Sequence, residues 1–366
     1  MTIEKPEFNP QISLLRYLQI SKYYFPEGYN NNPLINKNKQ NKSNIYIPNP
    51  LITNEDEDLC TKLINESPNR FDQKAVNCLK FFNNSKFLMY GTSMGNIIIC
   101  DIYDNFSLFK KHQLKTPCSI RAMEFNKHEN KLLIGDGNGN ISIFNIDSNF
   151  FDKTKKIEGN QKKYHTYIIT DINFSISNTK FITSSDDKLT KIIDFETSEE
   201  IFSLKNGSDV KSCDWNPYMN MVTSGGKDQR IQIWDPSTGK IISTLHPHKD
   251  TINRLRFNKN GNWLLSASKD QTIKLFDIRA MKELQTFKSH EKGVNTITWH
   301  PIHESIFCSS GMDKNIIYWK VGQTKNHHII KNCHDEDVFD LCFNNTGTLL
   351  ASGSSDKKLK FWMRDF

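Results

Sequence analysis

"GGKDQRIQIWD" occupies residues 225–235 and ends in a Trp-Asp pair, with Asp228 six residues before Trp234. A single acid among Gly, Lys and alternating apolar residues suits a catalytic carboxylate, a metal ligand or a turn-former. Recurrence separates these, because a reaction needs one such carboxylate whereas a repeated module reuses its turn. The pattern returns in "KDQTIKLFD" (269–277), "MDKNIIYWK" (312–320), "SDKKLKFWM" (355–363) and "DDKLTKIID" (186–194). Residues at the Trp position are Cys100, Phe144, Ile193, Trp234, Phe276, Trp319 and Trp362, spaced 44, 49, 41, 42, 43 and 43 apart.

Seven units near 42 residues resemble WD repeats and predict an all-β, seven-bladed WD-repeat β-propeller. Four units place a His 22 or 23 residues before the Asp, in the pairs His165–Asp187, His248–Asp270, His290–Asp313 and His334–Asp356. Between them lie alternating strands such as "TINRLRFN" (251–258) and "NWLLSAS" (262–268), separated by the turn Asn260-Gly261. The resemblance implies a buried network of His, a strand Ser or Thr, the turn Asp and Trp. A buried carboxylate is tolerated only with partners, so Asp187, Asp228, Asp270, Asp313 and Asp356 read as structural, beside Trp234, Trp319 and Trp362. The early units depart from the pattern: Cys100, Phe144 and Ile193 replace Trp, and Asn206 stands where His is expected.

The last unit runs nearly to the final residue in "KLKFWMRDF" (358–366), leaving no sequence for its outermost strand. Closing the ring then requires a strand from the other end of the chain, and "LCTKLINES" (59–67) fits. The propeller is thus expected over 59–366. Residues 1–58 do not repeat: "QISLLRYL" (11–18) has helical spacing, 27–44 is an Asn/Lys-rich polar stretch, and "IYIPNPLI" (45–52) reads as extended. This segment predicts a partly helical or extended docking arm, with Leu14, Leu15, Tyr17 and Leu18 as anchors.

Formal net charge is +7, and the segment 110–163 carries eleven Lys/Arg against six Asp/Glu. A clustered surplus of this kind fits an anionic partner. No apolar run approaches the roughly 18 residues of a membrane span, and charges within the first twenty residues fit no signal peptide, predicting a soluble intracellular chain with no membrane partner. The eight cysteines form no Cys-x-x-Cys pair and read as reduced, mostly buried residues. "WHPIHE" (299–304) lacks a third metal ligand, and "GDGNGN" (135–140) precedes a strand rather than a helix, so neither a metal nor a phosphate site is expected. No nucleophile elbow, Walker lysine or kinase signature occurs, so neither a cofactor nor catalysis is predicted.

Several stretches go beyond the generic repeat. "DVKSCDWNP" (209–217), "IWDPSTGKIISTLHPHK" (233–249), "GNWLLSASKDQTIKLFDIR" (261–279), "WHPIHESIF" (299–307) and "IIYWKVG" (316–322) resemble the WD-repeat subunit of the cleavage and polyadenylation specificity factor. "EFNPQISLLRYL" (7–18) resembles that family's element preceding the propeller. The resemblance implies a non-catalytic nuclear subunit that helps read the AAUAAA polyadenylation signal in single-stranded pre-mRNA. It would sit with a zinc-finger subunit on a large multi-propeller scaffold subunit. It also maps a base-stacking ring onto Phe106 and an apolar contact onto Phe109 in "NFSLF" (105–109). Lys110, Lys111 and Arg121 would support phosphates, with Arg70 and Lys74 as further candidates. Phe106 and Phe109 have odd separation and should face opposite sides of a strand. The family's basic arm before the "NP" element is not matched by "MTIEKPEF" (1–8), which predicts weak RNA binding by this chain alone. Two rival readings remain open: a substrate receptor of a cullin ubiquitin ligase, resting on "LFDIR" (275–279), and a WD scaffold without RNA contact.

Overall fold

The computed structural model describes residues 59–68, 73–147, 150–152 and 159–364. Seven four-stranded antiparallel sheets form the blades of a propeller. Blades 1 to 6 are built in chain order from residues 76–113, 120–163, 169–205, 210–245, 252–288 and 294–330. Each innermost strand opens on a β-branched residue: Val76, Ile120, Ile169, Val210, Ile252, Val294 and Val338, all buried. Such residues suit a pleated surface covered on both sides, and here they wedge between neighbouring blades. One apolar cluster joins blade 7 to blade 1, a second joins blade 1 to blade 2, and a third joins blade 5 to blade 6. Packing thus runs around the ring, and each blade covers its neighbour's face.

Blade 7 contributes three strands from 338–364 and receives its fourth from Cys60–Pro68. That strand pairs antiparallel with Lys358–Arg364, setting Leu63 opposite Trp362 and Glu66 opposite Lys360. Glu66 also meets the Lys358 amine at 2.9 Å. Leu59 and Cys60 are buried among Ile306, Tyr318 and Val338, and the Tyr318 hydroxyl donates to the Cys60 carbonyl at 2.9 Å. The closing strand predicted over 59–67 is therefore present, anchored in both blades 6 and 7. Leu14, Leu15, Tyr17, Leu18 and Arg70 lie outside the described residues. Among the described residues, no helix is long and apolar enough to cross a membrane.

Candidate nucleic-acid interface

The repeat residues converge as side-chain relays. In blade 6 His290 Nδ1 lies 2.7 Å from Asp313 Oδ2 and Nε2 lies 2.7 Å from Ser309 Oγ, which accepts from Trp319 Nε1–H at 2.7 Å. A carboxylate only accepts, so Nδ1 carries the proton. For a neutral imidazole, Nε2 then accepts from the Ser309 hydroxyl, and every polar atom in the relay is satisfied. Blade 7 repeats it with His334, Asp356, Ser352 and Trp362 at 2.7–2.9 Å. Blade 5 pairs His248 with Asp270 and Ser266, and blade 3 pairs His165 with Asp187 and Thr183. With Phe276 and Ile193 in the Trp position, these two relays lack the indole donor.

Blade 4 departs further. Trp234 Nε1–H donates to Ser224, whose hydroxyl donates to Asn206 Oδ1 at 2.8 Å, while Asn206 Nδ2 donates to Thr190. An amide has no ring to reach across to the turn, so Asp228 is not joined to this relay. It caps the turn by accepting from Arg230 N–H at 3.2 Å. Blade 2 has a turn acid outside the six-residue spacing: Asp136 is fully buried and accepts from the Asn138 and Asn140 backbone N–H groups at 2.9 and 2.8 Å. The stretch "GDGNGN" is this turn. Gly139 there has φ +82°, and a Cβ on it would strike the His165 carbonyl oxygen.

Burial acts against ionisation of the relay carboxylates, and the hydrogen bonds they accept from the partner His and from turn backbone N–H groups outweigh it. Asp187, Asp270 and Asp313 are held below the usual carboxylate value, and Asp356 is held at about 2. Burial pushes the thiols of Cys78, Cys213, Cys308 and Cys342 up, and that of Cys100 to about 12. His300 of "WHPIHE" is buried, accepting on Nδ1 from the His303 N–H at 3.0 Å and facing the Gly347 carbonyl through Nε2. Among the described residues, no group of three or more His, Cys, Asp or Glu is arranged to hold a metal ion.

The candidate RNA residues fall on two sides of blade 1. Phe106 sits in the turn before the outermost strand with φ 57°, is 8% exposed, and packs its ring 4.2 Å from Phe361 of blade 7. Phe109 is half-buried toward blade 2, with its ring 4.7 Å from Phe87 and 6.4 Å from Phe151. The two rings face different blades, yet strand alternation is not the cause: Phe106 stands in a left-handed turn outside the strand Ser107–Gln113, and a register shift skips Phe109 in the pairing. Lys110 is buried and donates to the Phe150 and Asp152 carbonyls at 2.9 and 2.8 Å. Burial lowers its amine pKa. Lys110 therefore pins residues 150–152 across the blade and is not presented to solvent. Lys111 and Lys74 are exposed. Arg121 is exposed on an innermost strand, at the mouth of the central channel. The grouping of Arg121 with Lys110 and Lys111 by sequence proximity does not carry into space, because a chain that crosses to the next blade passes from the outer rim to the axis. Arg279 of "LFDIR" forms a local, exposed ion pair with Asp277 at 2.8 Å.

The repeats match the family model described as "WD domain, G-beta repeat" over residues 198–235, 239–277, 281–320 and 325–363. The chain is 41% identical over 75 residues to polyadenylation factor subunit 2 of Neurospora crassa, covering 20% of this chain and 11% of that protein. With the Gibberella zeae protein of the same name, identity is 38% over 202 residues, covering 48% and 33%. With that of Saccharomyces cerevisiae it is 34% over 133 residues, covering 36% and 29%. The chain is a WD-repeat propeller homologous to polyadenylation factor subunit 2. The matches span a third or less of these relatives' length.

This WD-repeat propeller also contains an ionic cluster that the repeat pattern does not reveal. Arg254 of blade 5 reaches Asp340 of blade 7 at 2.7 Å and Asp171 of blade 3 at 3.4 Å. Arg256 joins Asp171 at 2.8 Å. Asp340 further accepts from the Leu79 N–H of blade 1. Burial opposes ionisation of Asp171, yet the two guanidinium groups hold its carboxyl below the usual range. The ion pairs thus tie blades 3, 5 and 7 across the axis, and the Leu79 N–H adds blade 1. Neighbouring Asp214 is pushed up to about 6, chiefly by burial, against the attraction of Arg256. The cluster escapes sequence reading because its ion-paired partners lie 83 to 86 residues apart and belong to no shared motif.

Proposed function

We propose that this chain is a non-catalytic subunit of the nuclear machinery that cleaves and polyadenylates pre-mRNA, and that it helps recognise an AAUAAA-type signal. The observation carrying this reading is the 38% identity to polyadenylation factor subunit 2 over 202 residues, a length beyond what turn and relay residues alone account for. The propeller offers a rigid support rather than a reaction centre: His165, His248, His290 and His334 are committed to relays with Asp187, Asp270, Asp313 and Asp356, and buried thiols such as Cys100 are raised by burial. Residues 1–58 act as the arm docking on a large multi-propeller scaffold subunit, beside a zinc-finger subunit. Leu14, Leu15, Tyr17 and Leu18 are its anchors.

Signal contact is assigned to the blade 1 rim. Lys111, on the outermost strand, offers exposed charge to phosphate; Lys74, just before the innermost strand, and Arg70, close to it in sequence, are further contacts, with Arg121 set apart at the channel. Base stacking falls to Phe106, in the way aromatic rings hold splayed single-stranded RNA, with Phe109 as an apolar base contact. For Phe106 this requires the ring to leave Phe361, so RNA binding and the blade 1–blade 7 contact are coupled. Affinity purification of the tagged full chain tests the assembly. Recovery of 3′-processing subunits, abolished when Leu14, Leu15, Tyr17 and Leu18 are replaced by Asp, supports the reading. Recovery of a cullin adaptor instead contradicts it.

A further inference from the structure

A cleft of about 1330 Å³ crosses the outside of blade 2, from the outermost strand of blade 1 to the turn that joins the third and fourth strands of blade 3. It lies away from the Phe106 side of blade 1. Its walls bring together three kinds of chemistry. His112, Lys115 and Lys131 supply basic groups, and Glu196 is the one acid among the lining residues. Asn145 and Asn160 present amides, with Asn145 Oδ1 already held by the Lys131 amine at 2.6 Å. Phe195 closes the far end, half-buried, its ring packed at 5.5 Å against Phe174.

Amides pair with base edges, an aromatic ring stacks on a base, and lysines track phosphates; single-stranded RNA uses all three. An acidic polypeptide would use only the lysines. Residues of the segment 110–163 supply most of the lining, and of its lysines Lys115 and Lys131 stand in the walls beside His112. We propose that this cleft is a second track for single-stranded RNA, holding nucleotides that flank the signal. It rests on the reading that the chain binds RNA, but not on Phe106 or the blade 1 rim.

The test is fluorescence anisotropy with the full chain co-purified with its partner subunits. One probe is the bare hexamer AAUAAA, and the other is the same hexamer flanked by single-stranded uridines. The Lys115→Glu/Asn160→Asp double variant alters exposed cleft residues, and Lys240→Glu makes a charge reversal on exposed blade 4 surface. The proposal predicts tighter binding of the longer RNA. The double variant should reduce that binding roughly three- to tenfold and shallow its salt dependence by about 0.7 for each phosphate no longer neutralised, leaving the hexamer unaffected. Equal reductions from the double variant and Lys240→Glu would overturn it, as would equal wild-type affinity for both probes. Competition by polyglutamate but not by RNA would assign the cleft to an acidic protein instead. Tight binding of the longer RNA regardless of its hexamer would retain the cleft and remove the signal reading.

Discussion

Replacing Ser309 by Ala removes one hydroxyl and strands two groups in blade 6. The Trp319 Nε1–H loses its acceptor at 2.7 Å, and His290 Nε2 loses its partner at 2.7 Å. Trp319 and Ser309 are both fully buried, so water cannot replace the hydroxyl without a rearrangement. Each stranded buried group costs about 1–3 kcal/mol, giving about 2–6 kcal/mol for the pair. An unfolding entropy of about 2.1 cal/mol/K per residue over roughly 300 residues converts this to a fall in melting temperature of about 3–10 °C. Thr183→Val in blade 3 is the internal comparison: it strands only His165 Nε2, because Ile193 offers no indole. Its cost should be about half. Differential scanning calorimetry measures both. A Ser309→Ala melt within about 1 °C of the parent, or a Thr183→Val destabilisation as large as that of Ser309→Ala, would refute the additive relay.

Deleting residues 59–67 opens the ring at blade 7, exposes the edge of Lys358–Arg364 and should lower the urea midpoint sharply; an unchanged midpoint would rule out closure by this strand. The Asp356 carboxyl, at about 2 when folded against ~3.9 in an unfolded chain, contributes stability that is fully present above the unfolded value and lost as pH falls through about 2. The Asp214 carboxyl acts with the opposite sign: with a folded value of about 6, the native state holds the extra proton between about pH 4 and 6, so stability from this group declines as pH rises across that window. Urea titrations at stepped pH should show Asp214→Asn flattening this decline, and an unaltered slope would contradict it. Phe106→Ala should weaken signal binding by about 1–3 kcal/mol while the propeller remains folded by circular dichroism; normal affinity would remove Phe106 from the site.

The ring was legible because its cause is periodic. The Trp-position residues recur near every 42 residues and a turn Asp returns in five units, while the pairing of Cys60–Pro68 with Lys358–Arg364 closes the ring in the structure. The relays of His165, His248, His290 and His334 were legible for the same reason. Asp228 was misjoined, because spacing reports the turn but not whether residue 206 can reach it. Asp136 was missed, since it stands eight residues rather than six before the Trp-equivalent Phe144. The axis cluster of Asp171, Arg254, Arg256 and Asp340 depends on three blades meeting, which no local pattern encodes. Lys110 illustrates the same limit at the rim. Sequence shows a basic run beside aromatics, whereas the fold turns that amine inward onto the Phe150 and Asp152 carbonyls.

The most direct measurement of signal recognition is RNA binding by the full chain assembled with its scaffold and zinc-finger partners, at stated salt because phosphate contacts depend on it. Anisotropy titrations would compare an RNA containing AAUAAA with one altered at a central base. The account predicts selective binding of the intact signal in the assembly, reduced by Phe106→Ala and Lys111→Glu. Equal affinity for both RNAs, with neither substitution having an effect, would contradict it and leave the propeller a protein scaffold.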